Sequence, residues 1–201
     1  MPFLSVDYRL APEAPAGTAP ADALAALRWL VAEAPALGVD PARIAVMGDS
    51  AGGGIAASLA VLARDAGLPL AKQILIYPML DDRSERDPEL DAAAAMFSYE
   101  FERTAWEAVL GDLPLGDRVL YAAVPARQPD LAGVAPAYLE VGELDIFRDA
   151  DVAYAGRLWR AGVSTELHVH PGSPHAFDIL LMGDPAGHRH REEKVRIIRG
   201  I

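Results

Sequence analysis

Apolar residues recur along the chain with two alternating periods. Leu24, Leu27, Leu30 and Val31 fall at the three-and-four spacing of one helix face, which predicts a helix over Ala21–Ala34, stopped by Gly38 and Asp40-Pro41. Phe3–Tyr8 ahead of it is a short β-type run ended by Ala11-Pro12. Arg43–Met47 (RIAVM) is a short apolar run of the kind that parallel strands carry when both faces are covered. Ser50–Ala66 reads as the helix behind it, closed by Gly67, and Gln73–Tyr77 (QILIY) as the next strand.

Between Asp81 and Pro129 the rhythm breaks. A charged turn, DDRSERDPE, leads into a mixed helical stretch with Phe97, Tyr99, Phe101 and Trp106, which reads as an insertion over the sheet. Regular alternation returns with a strand at Ala137–Val141 (AYLEV) and a helix over Asp149–Ala161, N-capped by Asp149 and ended by Gly162. A strand at Thr165–Val169 (TELHV) and a helix over about Arg189–Arg199 close the series. Parallel strands need crossover connections, so strands and helices alternating through short links predict an α/β fold. Its sheet is mostly parallel with helices on both faces, and it forms one domain over residues 1–201, with no internal repeat and no linker to divide it.

Composition narrows the function classes. A chain of 201 residues buries roughly 70% of its unfolded surface, and 52% apolar with 23% charged residues are ordinary globular values. The absence of cysteine removes disulfides, thiolate metal sites and cysteine nucleophiles together. A net charge of -11 repels phosphate backbones and anionic lipid, so no nucleic acid partner is expected. No apolar run reaches about 18 residues, and the N-terminus lacks a basic segment followed by an apolar one. The expectation is a cytoplasmic chain with no membrane span, its oligomeric state left open with a homo-oligomer among the outcomes.

The chemistry concentrates at GDSAGGG (Gly48–Gly54), where RIAVM meets its helix. A phosphate-cradling loop needs a lysine that is not there, and a Gly-x-Gly-x-x-Gly dinucleotide turn needs glycine at position 50. Gly48, Gly52 and Gly54 do fit the looser Gly-x-x-x-Gly-x-Gly turn of NAD(P)-dependent short-chain dehydrogenases. None of the six tyrosines, however, is followed four residues later by the lysine those enzymes use. The third pattern, Gly-x-Ser-x-Gly, is met by Gly48, Ser50 and Gly52; it thrusts a serine hydroxyl out at the carboxyl end of a strand, with a helix N-terminus facing any oxyanion. Small neighbours suit the strained backbone there. The Ala51 N–H is the candidate oxyanion donor, and the plain alternative for Ser50 is a capping serine.

A serine nucleophile of this architecture needs an acid and then a histidine, each just after a later strand. GELDIFRD puts Asp145 behind AYLEV, and HPGSPHAFD puts His175 behind TELHV, at separations of 95 and 30 residues. Asp149 and Glu143 are the neighbouring carboxylates that compete with Asp145. Pro171, Gly172 and Pro174 stiffen the loop that carries His175. His168 and His170 lie in a strand, partly buried or exposed, and His188-x-His190 sits among charges as a solvated helix face, so no metal and no organic cofactor is expected.

VDYRLAPE (Val6–Glu13), GDSAGGG, YPMLD (Tyr77–Asp81), ELDIFRD (Glu143–Asp149) and PGSPHAF (Pro171–Phe177) together resemble the hormone-sensitive-lipase-like family of α/β-hydrolases, block by block and in family order. The resemblance implies hydrolysis of small-molecule carboxylic esters by a Ser50, Asp145 and His175 triad. It also implies that residues 81–114 form part of a cap, and that an upstream His-Gly-Gly-Gly loop exists, which these 201 residues lack. The early strands and most of the oxyanion hole are then missing, and the triad should work at a reduced rate. A miscalled start or a gene fragment is the preferred explanation over an evolved minimal enzyme. A non-catalytic ligand-binding module on the same scaffold is the reading from another class, although such a module has no need of His175.

Overall fold

A computed structural model describes residues 2–94, 96–111, 116–180, 182–183 and 185–201. Among them, one parallel sheet runs in the order β1 (Ala45–Asp49), β2 (Lys72–Ile76), β3 (Ala137–Gly142), β4 (Thr165–His170). Met47 lies opposite Ile74, Leu75 opposite Leu139, and Val141 opposite Val169. Helices α1 (Thr18–Leu37), α2 (Ala51–Asp65), α3 (Pro88–Ala93), α4 (Tyr99–Leu110), α5 (Asp117–Ala123), α6 (Arg148–Arg160), α7 (Phe177–Leu180) and α8 (Pro185–Arg199) surround it. Because the strands all point the same way, the loops that leave their carboxyl ends meet at one edge of the sheet.

The pleat sorts the core. Leu75 and Leu139 face Ala57 and Val61 of α2 and Leu158 of α6, while Ile74, Ile76 and Tyr138 face Phe177 of α7 and Ile197 of α8. Leu27 of α1 packs outside α2 against Leu59 and Ala63. A third cluster ties Leu90 and Trp106, in the stretch read as an insertion, to Met79, Ile146 and Phe147 in the loops after β2 and β3. Ala95 and residues 112–115 of that stretch lie outside the described residues.

Several sequence-based expectations are corrected. Phe3–Tyr8 is not a strand: residues 2–10 carry no regular structure, and Phe3 is 87% exposed. A lone extended segment cannot satisfy its own N–H and C=O groups, and no pairing joins this one to the sheet. What holds it is an ion pair from Arg9 to Asp22 on α1, 2.7 Å long. The helix predicted from Asp149 begins at Arg148 with Phe147 at its N-cap, so Asp149 lies within the first turn. No side chain caps this helix; just ahead of it, Asp145 Oδ1 accepts the Phe147 N–H at 3.0 Å. The last helix starts four residues early, at Pro185, a residue that suits a first helical position. Its His190, expected on a solvated face, is buried, because His190, Lys194 and Ile197 share the stripe that α8 turns toward the sheet.

One buried acid in this architecture titrates far from its usual range. Glu102 on α4 is 4% exposed, and burial pushes its carboxyl up from 4.5 to about 7 against the opposing pull of Ser84 and Trp106. The folded chain therefore holds a proton that the unfolded chain releases between about 4.5 and 7, so stability falls as pH rises through that window and levels off above it. Urea unfolding at pH 5 and pH 8 measures the effect, up to about 3 kcal/mol, and Glu102→Gln should abolish it.

Candidate active site

β1 ends in a sharp turn whose tightness the sequence dictates. A Cβ at Gly48 would sit 2.2 Å from the Gly52 carbonyl oxygen, a separation no side chain tolerates. Ser50 takes φ 54°, ψ -121°, a strained conformation for a residue with a side chain. Three backbone hydrogen bonds hold it there: its N–H donates to Ile76 O at 2.9 Å, and its carbonyl accepts from Met79 at 3.0 Å and Gly54 at 3.1 Å. The motif's second glycine, Gly52, meets nothing within 4 Å of an added Cβ; the crowding falls instead on Gly53 against Pro78 and Gly54 against the Met79 carbonyl. Ala51 opens α2, so its N–H is one of the unpaired donors at the positive end of the helix dipole, beside the Ser50 hydroxyl.

The loops after β3 and β4 are stitched to each other. Glu143 N–H donates to His170 O at 2.9 Å, Leu144 N–H to Ser173 O at 3.0 Å, and Gly172 N–H to the Glu143 carboxylate at 2.7 Å. Gly142 permits this contact, since a Cβ there would lie 2.1 Å from the Ser173 carbonyl oxygen. Sequence reasoning passed over Gly142, whose requirement comes from a segment 31 residues away. Glu143, one of the competitors for the acid position, is thereby engaged with the backbone of the histidine loop. Asp149, the other, pairs with Arg148 at 2.8 Å.

These loops bring the three predicted side chains together. His175 Nδ1 lies 2.7 Å from Asp145 Oδ2, and His175 Nε2 lies 3.0 Å from Ser50 Oγ. Asp145 is 1% exposed and His175 7%, so the pair is largely shielded from water. With its other oxygen fixed by the Phe147 N–H, the carboxylate aims at Nδ1 and selects the tautomer that leaves Nε2 as acceptor for the serine hydroxyl.

Residues that the sequence did not mark complete the surroundings. Tyr77, at φ 36°, sets its ring edge-on to His175 at 4.7 Å between centroids, and Phe147 and Phe97 approach at 5.3 and 5.4 Å. The Tyr77 hydroxyl donates to Asp178 at 2.6 Å; burial and that carboxylate push its ionisation out of the working range. Asp151 on α6 is fully buried, and desolvation together with the Asp145 charge raises its carboxyl well above the usual range, which keeps a second negative charge away from the acid. Such groups carry no sequence signal, because only packing creates their environment. Among the described residues, Glu140, His170 and His190 cluster closely enough to hold a metal ion, on the α8 side of the sheet.

The chain matches the family model described as alpha/beta hydrolase fold over residues 1–179. It is similar to the carboxylesterase NlhH of Mycobacterium tuberculosis, 41% identical over 186 residues that make up 91% of this chain and 58% of NlhH. It is also similar to an ethyl acetate hydrolase of Pseudomonas putida, 38% identical over 180 residues, 88% of this chain and 56% of that enzyme. Among solved structures, a bacterial heroin esterase superposes with a TM-score of 0.88 at 40% identity, covering 96% of this chain and 62% of its own. The chain thus spans about three-fifths of the length of these relatives. None of the three carries the name of a dehydrogenase or a binding module, so those readings gain no support. No helix among the described residues is long and apolar enough to cross a membrane. By its glycine turn, its sheet and its relatives, the chain belongs to the alpha/beta hydrolase fold family, on its hormone-sensitive-lipase-like side.

Proposed function

We propose that this chain hydrolyses carboxylic esters of small molecules, with Ser50 as nucleophile, His175 as general base and acid, and Asp145 holding the imidazole. The observation that carries the reading is the unbroken hydrogen-bonded path from the Ser50 hydroxyl through His175 to the Asp145 carboxylate, at 3.0 and 2.7 Å. His175 Nε2 takes the serine proton as Oγ attacks the ester carbonyl carbon, and the Ala51 N–H supports the oxyanion. The imidazolium then gives its proton to the leaving alcohol oxygen. Water, deprotonated by the same nitrogen, attacks the acyl-serine, and the imidazolium returns that proton to Ser50 Oγ as the acyl–oxygen bond breaks and the acid is released. Each step uses groups already in place and no metal or organic cofactor.

The oxyanion hole sets the rate. Removing one such donor typically costs ~10²- to 10³-fold in turnover, and these 201 residues contain no His-Gly-Gly-Gly loop to add donors to Ala51 N–H. The described residues between 81 and 111 act as a cap over the substrate side: Phe97 reaches the His175 ring, and Leu90 and Trp106 pack on the loop after β3. The net charge of -11 favours neutral substrates over polyanions such as nucleic acid.

An organophosphate should label Ser50 in a one-to-one ratio, while hydrolysis of a short-chain nitrophenyl ester stays ~10²-fold or more below that of NlhH assayed alongside. Mass spectrometry without a label on Ser50 removes the nucleophile, and turnover equal to NlhH removes the deficit. Ser50→Ala and His175→Ala should each bring hydrolysis down to the uncatalysed background. Asp145→Asn should lower kcat by up to ~10⁴-fold, with the fold unchanged by circular dichroism. Phe97→Ala should raise KM for an aromatic ester about tenfold and change kcat less; an unaltered KM counts against the cap.

A further inference from the structure

Away from the serine turn, the face of the sheet that α8 covers carries a buried polar cluster with no part in ester hydrolysis. Glu140 of β3 is fully buried, and His170 of β4 stands diagonally across from it on the same face, Nε2 to Glu140 Oε2 at 3.1 Å. His190, 5% exposed, comes down from α8 with its ring centroid 4.1 Å from that of His170. One ligand atom from each of the three lies within 4.8 Å of the other two.

We propose that Glu140, His170 and His190 form a binding site for a divalent transition-metal ion of the zinc class, which pins α8 to the sheet. Two imidazoles and a carboxylate are the donor set such ions take, with a fourth position left to water. Bonds of ~2.0–2.1 Å place the ligand atoms around a tetrahedral ion about 3.3 Å apart, and the 3.1 Å between His170 and Glu140 already spans one such edge. The Tyr138 hydroxyl donates to Glu140 Oε2 at 2.8 Å, fixing the carboxylate as an outer partner of a metal ligand does.

Charge favours the ion as well. Among the described residues, two carboxylates, Glu140 and Asp178, stand within ion-pair reach of Lys194. Lys194 is hydrogen-bonded to Asp178. It stays 3.5 Å from Glu140 Oε1, which has no hydrogen bond although it is buried. A metal ion or a proton on one imidazole would each place positive charge beside Glu140, and the two leave different signatures. The second His-and-carboxylate group, Glu166, His168 and Glu193, is more exposed, and Arg196 already pairs with both glutamates.

The test uses the full chain, stripped with a chelator and then dialysed against zinc. One equivalent of zinc should remain after gel filtration and raise Tm by about 5 °C at a hundredfold excess over Kd. Cobalt(II) in its place should give the visible absorption of a four-coordinate site. Glu140→Gln and His170→Gln should lose both signals, whereas His188→Gln, in an exposed position, and His175→Gln, in the ester site, should keep them. Should a replaced ligand prevent folding, the cobalt spectrum of the unaltered chain still decides. The proposal is overturned if the unaltered chain retains no zinc, if His175→Gln abolishes retention, or if Tm rises only on acidification and ignores metal.

Discussion

One imidazole must reach two partners that the sheet holds apart. Ser50 follows β1 and Asp145 follows β3, with β2 between them, so strand spacing alone separates their backbones by about 10 Å. His175 closes that gap from the loop after β4, which folds back over the end of β3 to hydrogen-bond both. Everything else at this edge serves that reach. The glycine at the end of β3 lets the histidine loop lie directly on the strand, the Glu143 carboxylate ties the two loops together, and three aromatic rings confine the imidazole. A ring with less support would lose one of its two hydrogen bonds whenever it turned.

The two faces of the sheet are built differently. Against α2 and α6 the contacts are mainly apolar, and where α2 begins at the strained serine, Gly53 and Gly54 let it lie close to the loop after β2. Against α8, Glu140, Tyr138, His170, His190, Lys194 and Asp178 sit among Ile74, Ile76 and Phe177. Buried charges of this kind add little net stability, because desolvation offsets their attraction, yet breaking one partner from another is costly. They therefore fix where α8 docks. Asp178 joins this layer to the serine–histidine–aspartate site, since it accepts the hydroxyl of the tyrosine that packs against His175.

Most of the candidate site's geometry was legible because its parts lie next to strong local signals. Each strand-like run, RIAVM, AYLEV and TELHV, is followed within a few residues by Ser50, Asp145 or His175, and chain order then leaves few partners to choose from. Phe3–Tyr8 misled for the same reason: local β character is real there, but a strand exists only where a neighbour completes its hydrogen bonds. His190 misled through its charged neighbours, whose side chains point away from the stripe that α8 buries.

Sequence alone thus determined the alternation of strands and helices, the strained serine turn and the order of hydroxyl, carboxylate and imidazole, since each depends on residues close together in the chain. Only the tertiary structure decided that Gly142 must lack a side chain, that Glu102 and Asp151 lie in environments that raise their carboxyls, and that Glu140, His170 and His190 meet. Those properties belong to contacts between segments tens of residues apart, where burial and charge are set by what folds against a residue and not by what flanks it.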